Sequence, residues 1–322
     1  MTAVQDVKKI YGQTLHRLMG EKDGIIAVDA DLMRIAGTEC IRDDFPDRYV
    51  NAGIAEQNAV AVAAGLAAMG KTVFISAFSQ FLGTRASDQC LDTVCYNQLN
   101  VKLIGTYAGI TSAINGGTHI SLTDIAMFRA MPGMKVMEPA DGAEFSWAIG
   151  EAARIDGPVY IRIPKGPLHC IFEPGTEFGL GKGHVLSAVN GSGTCRQSAG
   201  HKRIAVISSG ITTQRAAEAV KILRESGVYV THIHMGQLKP ADDDLLIETA
   251  KDHDIIVTLD NHNVIGGLGD VVCQAVSART PAPAVIRLGI EDVFCEGMKE
   301  DQLAERHGIS AAAIVRTIRH LL

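Results

Sequence analysis

The sequence predicts an α/β protein of two domains, each built on a mainly parallel sheet covered by helices. Three observations carry that expectation. Short apolar runs rich in β-branched residues alternate with helix-length segments, the rhythm of strands buried on both faces. The rhythm breaks once, over residues 167–203, in a stretch rich in Pro, Gly and Ser, and then restarts. The length, 322 residues, suffices for two domains of ordinary size.

Taken in order, residues 3–20 read as an opening helix. Residues 25–28 form a buried strand that ends in the acidic turn Asp29-Ala-Asp31. Residues 56–69 are a helix stopped by Gly70. A strand at 72–77 and a helix at about 80–98 follow. The strand at 101–106 leads into a Gly-rich loop, 109–119. A helix at 121–130 ends before Pro132-Gly133, and a strand occupies 134–137. Asp141 is suited to cap a helix running to about 155, and 158–163 is a further strand. The first domain is therefore expected over 1–170. A linker over 171–203 carries a surface loop or hairpin at 190–194. The second domain, 204–322, repeats the strand and helix alternation: strands at 204–207, 228–233, 255–259 and 284–288, helices at 212–225 and 242–252. Gly266-Gly-Leu-Gly269 opens another helix, and two more close the chain.

Bulk properties exclude several function classes. Apolar residues make up 47% and charged residues 20%, which fits a globular core. A net charge of −6 without a basic run argues against nucleic-acid binding. The longest apolar stretch, 59–69, is too short to span a bilayer, and the N-terminus has no apolar signal region. Seven cysteines, with no CxxC pair, fit reduced thiols in a cytoplasmic protein; Cys90 and Cys95 read as buried thiols. His232 and His234 alternate on one strand, but no third ligand has suitable spacing for a metal, so packing or exposure is the expectation.

Four elements could carry chemistry, each with a plain alternative. Asn51-Ala-Gly-Ile-Ala-Glu56 sets a carboxylate in the first turn of an apolar helix. That is a common stabilising placement on its own, but the apolar neighbours suit a buried, hydrogen-bonding carboxyl. Phe78 and Phe81 straddle a strand-to-helix corner and could face one pocket or the core. Asn115-Gly-Gly-Thr-His119 puts a histidine on a loop after a parallel strand, where α/β folds bind ligands. Arg162-Ile-Pro-Lys165 ends a strand with two cations suited to an anion, or to plain surface charge.

Gly53-Ile-Ala-Glu56-Gln57, then Phe78-x-x-Phe81, then Gly116-Gly-Thr-His119, then Pro132-Gly-Met-x-Val136-x-x-Pro139-Ala-Asp141 resembles, in this order, the C-terminal half of transketolases. It is also similar to the matching half of deoxyxylulose-phosphate synthases. His262-Asn-Val-Ile-Gly-Gly-Leu-Gly269 resembles the small C-terminal domain of the same enzymes. The resemblance implies a thiamine-diphosphate pyrimidine-binding domain followed by a transketolase C-terminal-like domain. It implies transfer of a two-carbon ketol unit between a ketose phosphate and an aldose.

The resemblance also implies residue roles. Glu56 matches the glutamate that bonds the cofactor's pyrimidine nitrogen and activates its amino group. Phe78 and Phe81 match aromatics packed on the pyrimidine, and Asp31 an aspartate near cofactor and subunit contact. His119 matches a histidine at the substrate. Arg162 and Lys165 fall where relatives place a phosphate-binding arginine, and Arg85 matches a phosphate arginine of the synthases. Asn115 stands where relatives often have an aspartate that touches substrate hydroxyls, a departure that bears on sugar preference.

Relatives hold diphosphate and Mg2+ through a Gly-Asp-Gly motif, which this sequence lacks. The chain starts about where the pyrimidine domain of a full-length transketolase would start. The expectation is a split enzyme in an α2β2 assembly, with a partner subunit that carries the Gly-Asp-Gly motif and binds Mg2+. Two rivals share the architecture. One is the β subunit of 2-oxoacid dehydrogenases, which usually has a His-Ser-Gln-type stretch where this chain has Thr118-His119-Ile120-Ser121. The other is a catalytically silent partner, which retention of Glu56 and both phenylalanines disfavours.

Overall fold

The computed structural model describes residues 4–189, 202–277 and 281–322. Its strands, in chain order, are β1 Val4–Asp6, β2 Ile25–Asp29, β3 Tyr49–Asn51, β4 Thr72–Phe78, β5 Val101–Thr106, β6 Lys135–Met137, β7 Val159–Ile163, β8 Pro167–His169, β9 His184–Ser187, β10 Ile204–Ser208, β11 Thr231–His234, β12 Gln237–Lys239, β13 Ile255–Asn263 and β14 Ala284–Ile290. The larger sheet has the order β12-β6-β7-β5-β4-β2-β3 and the smaller one β14-β13-β10-β11-β9. Within these two sheets all pairs are parallel except β12 with β6 and β9 with β11, and β1 pairs antiparallel with β8 in a separate two-stranded sheet. The two-domain α/β architecture expected from the sequence is the one observed.

Parallel strands must be covered on both faces, because their crossover connections lay helices there. In the larger sheet, helices Val7–Glu21 and Gly142–Ala152 cover one face through Leu15, Met19, Phe145 and Ile149. Helix Glu56–Ala68 covers the other through Ala59, Ala63 and Ala67, whose spacing makes one smooth stripe. Asp141 caps its helix as expected: its Oδ1 accepts from the Ala143 and Glu144 amides at 3.0 and 3.1 Å. Its Oδ2 accepts from the Ile171 and Phe172 amides, which ties down the segment leaving the sheet.

Two expectations need correction, and one pairing was not foreseen. The helix expected over 80–98 is broken into Ser79–Gly83 and a π-helical stretch, Gln89–Cys95. Gly83 is a weak helix former, and Thr84 bonds back to the Gln80 carbonyl at 2.6 Å. The segment over 167–203 is not all linker, because β8 pairs with β1 and β9 forms an edge of the smaller sheet. Residues 190–194, expected as a surface loop or hairpin, and Cys195 lie outside the described residues. Finally, β12 leaves the second half of the chain and pairs with β6 of the larger sheet.

Cys90 and Cys95 are buried, and burial pushes both thiols up, Cys95 to about 11. His232 and His234 are buried and hydrogen-bonded, the first to Ser208 at 2.9 Å and the second to Thr213 and Glu144 at 2.7 and 2.8 Å. Among the described residues no group of three or more His, Cys, Asp or Glu could hold a metal ion. No described helix is long and apolar enough to cross a membrane.

Candidate active site

Parallel strands present their carboxyl ends on one edge, and that edge gathers the expected residues. Asp31 follows β2, Phe78 ends β4 and Lys165 follows β7. Glu56 begins its helix a few residues after β3. Gly53, at φ +75°, makes the turn between them, and its amide bonds the Asn51 side chain at 2.9 Å.

Glu56 is 2% exposed, and its Oε2 accepts from Arg85 Nη1 at 2.7 Å. The Arg85 side chain is 45% exposed and lays its guanidinium over the Phe81 ring, 4.1 Å from the centroid. Phe81 and Phe78 meet edge to face at 5.6 Å. The His119 ring touches both, at 5.1 and 5.5 Å, so it closes a three-ring cluster. Thr118 Oγ1 lies 3.0 Å from His119 Nδ1. Tyr107, immediately after β5, packs on Phe78 at 5.4 Å, and the Lys165 ammonium sits 4.9 Å over the Tyr107 ring. Glu56, Arg85, Phe81, His119, Phe78, Tyr107 and Lys165 thus form one unbroken chain of contacts.

Sequence reasoning missed Tyr107. Its position directly after an interior strand is the signal that could have found it, and its φ of +57° marks a special backbone site. Asp31 is exposed at φ +63°, and its Oδ1 accepts from Asn51 at 3.0 Å. Asn115 is exposed at the end of a 3-10 turn, Ile110–Asn115. Below Asp31, the buried Asp29 carboxyl is pushed up to about 6 by burial, although the Leu32 amide and Thr38 hydroxyl donate to it.

Arg162 is the one clear correction among the site residues. Its side chain is fully enclosed, not facing ligand. Nε and Nη2 donate to Asp124 at 2.8 and 3.1 Å, Nη1 donates to Glu138, and Nη2 also reaches the Ser121 and Asn261 carbonyls. Burial alone would raise the Asp124 carboxyl, but Arg162, His262, Tyr160 and Ser121 together hold it below the usual range. With its side chain fully enclosed and every guanidinium nitrogen engaged, Arg162 is not open to a phosphate.

The profile for the pyrimidine-binding domain of transketolase matches residues 4–169, and that for the transketolase C-terminal domain matches residues 193–314. The chain belongs to the transketolase family. A Methanocaldococcus jannaschii protein provisionally named a transketolase C-terminal section is 36% identical over 97% of this chain and 95% of its own. The 6-deoxy-6-sulfo-D-fructose transketolase subunit SqwH of a Clostridium species is 35% identical over 96% of this chain and 92% of its own. A solved structure described as a split-gene transketolase in an inactive β4 tetramer superposes with a TM-score of 0.84 at 36% identity, covering 98% of this chain and 97% of its own.

Transketolases imply thiamine diphosphate, and the donor set here fits its pyrimidine end. A buried carboxyl at the start of a helix, beside a wall of Phe78, Phe81 and His119, suits a flat heterocycle bearing ring nitrogens and an amino group.

Proposed function

We propose that this chain is the pyrimidine-binding subunit of a split, thiamine-diphosphate-dependent transketolase. It moves a two-carbon ketol unit from a ketose phosphate to an aldose or aldose phosphate. The observation that carries the reading is the buried Glu56 carboxyl at the strand-end edge, next to the Phe78, Phe81 and His119 rings.

Thiamine diphosphate, when bound, supplies the carbanion-stabilising chemistry. The residues of this chain supply position and proton control. Glu56 presents a carboxyl oxygen to the pyrimidine ring nitrogen, and burial excludes competing water. Arg85 occupies Oε2, so among the described residues Oε1 is the carboxyl oxygen left for the ring unless Arg85 moves. Phe78 and Phe81 wall the heterocycle. His119, held edge-on by both rings and with Nδ1 beside Thr118 Oγ1, offers Nε2 to the substrate. Asn115 and Asp31 border the site, at substrate and at cofactor respectively. Arg85 and Lys165 are the cations for the substrate's anionic group. A relative named for a sulfonated ketose supports reading that group as phosphate or sulfonate.

In this reading a partner subunit carries the Gly-Asp-Gly motif, which does not occur in these 322 residues, and with it the diphosphate and Mg2+. The proposed assembly is an α2β2 heterotetramer in the cytoplasm, with each site shared between unlike subunits. Support comes from relatives of similar length, one named a subunit and one described as split-gene. The test is reconstitution. The isolated chain is expected to be inactive, and addition of the partner, thiamine diphosphate and Mg2+ to restore ketol transfer from D-xylulose 5-phosphate. Full turnover by the chain alone would refute the split reading.

A further inference from the structure

The Gly-rich loop that carries His119 is built in the larger sheet but fastened by the smaller one. Its two feet meet in an isolated bridge between Gly109 and Ser121. At the first foot, the Asn261 side chain reads the backbone on both sides of Gly109. Its Oδ1 accepts from the Ile110 amide at 3.0 Å, and its Nδ2 donates to the Ala108 carbonyl at 3.2 Å. A Cβ on Gly109 would lie 2.3 Å from the Asn261 carboxamide, so this approach needs glycine, which also sits at φ +60°. At the second foot, the Asn263 amide donates to the Leu122 carbonyl at 3.0 Å, and Arg162 joins the Ser121 and Asn261 carbonyls. At the crown, Gly116 and Gly117 lie against the 295–297 segment, where a Cβ on Gly117 would meet the Cys295 carbonyl at 2.9 Å. Within the loop, Ser112 donates to the His119 carbonyl at 2.8 Å.

Within that set the Asn261 side chain bonds loop backbone on both sides of one residue, the Ala108 carbonyl and the Ile110 amide. It is 1% exposed and uses a donor and an acceptor at once, as a carboxamide can and a carboxylate cannot. The His262 motif beside it drew attention in the sequence, yet the reaction itself assigns it no task. We propose that Asn261 is a positioning residue for ketol transfer: it fixes the first foot of the 108–122 loop and thereby sets where His119 stands. The proposal rests on the reading that His119 contacts substrate.

The test compares Asn261→Asp and Asn261→Ala with the unaltered full chain by hydrogen–deuterium exchange. Asn261→Asp keeps the shape and the acceptor but sets an oxygen against the Ala108 carbonyl, so it serves if the alanine variant does not fold. Amides over 108–122 are expected to exchange about tenfold faster or more, with β4 and β10 unchanged. In the reconstituted complex, KM for D-xylulose 5-phosphate should rise about tenfold while kcat stays within about threefold. Unchanged loop exchange, or loosening spread evenly over both sheets, overturns the proposal. A loosened loop with unchanged KM, when His119→Ala also leaves KM unchanged, upholds Asn261 as the loop's anchor and refutes the placement of His119 at substrate.

Discussion

Two arginine–carboxylate pairs in this molecule use the same chemistry for opposite ends. Arg162 with Asp124 and Glu138 is enclosed on all sides, and each guanidinium nitrogen has a partner. Arg85 with Glu56 joins a half-exposed guanidinium to a buried carboxyl through one nitrogen. The saturated pair is a joint: it draws Ser121, Glu138 and Asn261 from three parts of the chain onto one side chain. The open pair suits a site, because Arg85 can leave Glu56 without stranding its own charge away from water. An arginine beside a carboxylate therefore says little until its remaining donors are counted.

The comparison is sharpest in variants. Glu56→Gln in the reconstituted complex should lose activity by orders of magnitude, about 10²-fold or more, with assembly intact. Near-normal turnover would remove Glu56 from the mechanism. Arg162→Ala should cost about 3–5 kcal/mol in denaturant unfolding, because it strands buried carboxylates. A loss as small as that of a surface pair would mean the cluster is hydrated. Asp260, next to this network, is pushed up to about 7 by burial, although it accepts from the Leu268 and Gly269 amides. A carboxyl raised in the folded state binds its proton more tightly there than in the unfolded chain. Its contribution is thus present at low pH and is lost as pH rises from about 4 to about 7. Unfolding midpoints across that range should fall less steeply in Asp260→Asn, with Asp29 leaving a smaller slope of the same sign up to about 6. Arg85→Ala should cost less stability than Arg162→Ala, because it leaves one buried carboxyl without its arginine rather than two. It should nonetheless raise KM for D-xylulose 5-phosphate more than for an unphosphorylated ketose, and equal effects on both would take Arg85 away from the anion.

Much of this was legible in the sequence because the informative residues are local. Glu56 starts a helix, Phe78 ends a strand, Phe81 lies in the short helix that follows and His119 on the loop after β5, each in a short motif whose order names a family. Arg162 was misread for the complementary reason. Its partners lie 24, 38, 41 and 99 residues away, and a strand end looks the same in sequence whether it opens to ligand or closes on another strand. β12 has three residues and no apolar alternation, so only its pairing with β6 reveals it. The break at Gly83 was overlooked because amphipathic spacing continues through it.

β12 also bears on how the protein can be cut. A fragment that ended near residue 170 would keep every other strand of the larger sheet yet leave the rim at Lys135–Met137 bare. Unpaired amides and carbonyls on a sheet rim recruit strands from other molecules, so such a fragment would be prone to aggregate. Gln237–Lys239 is the cover that the second half of the chain lends to the first.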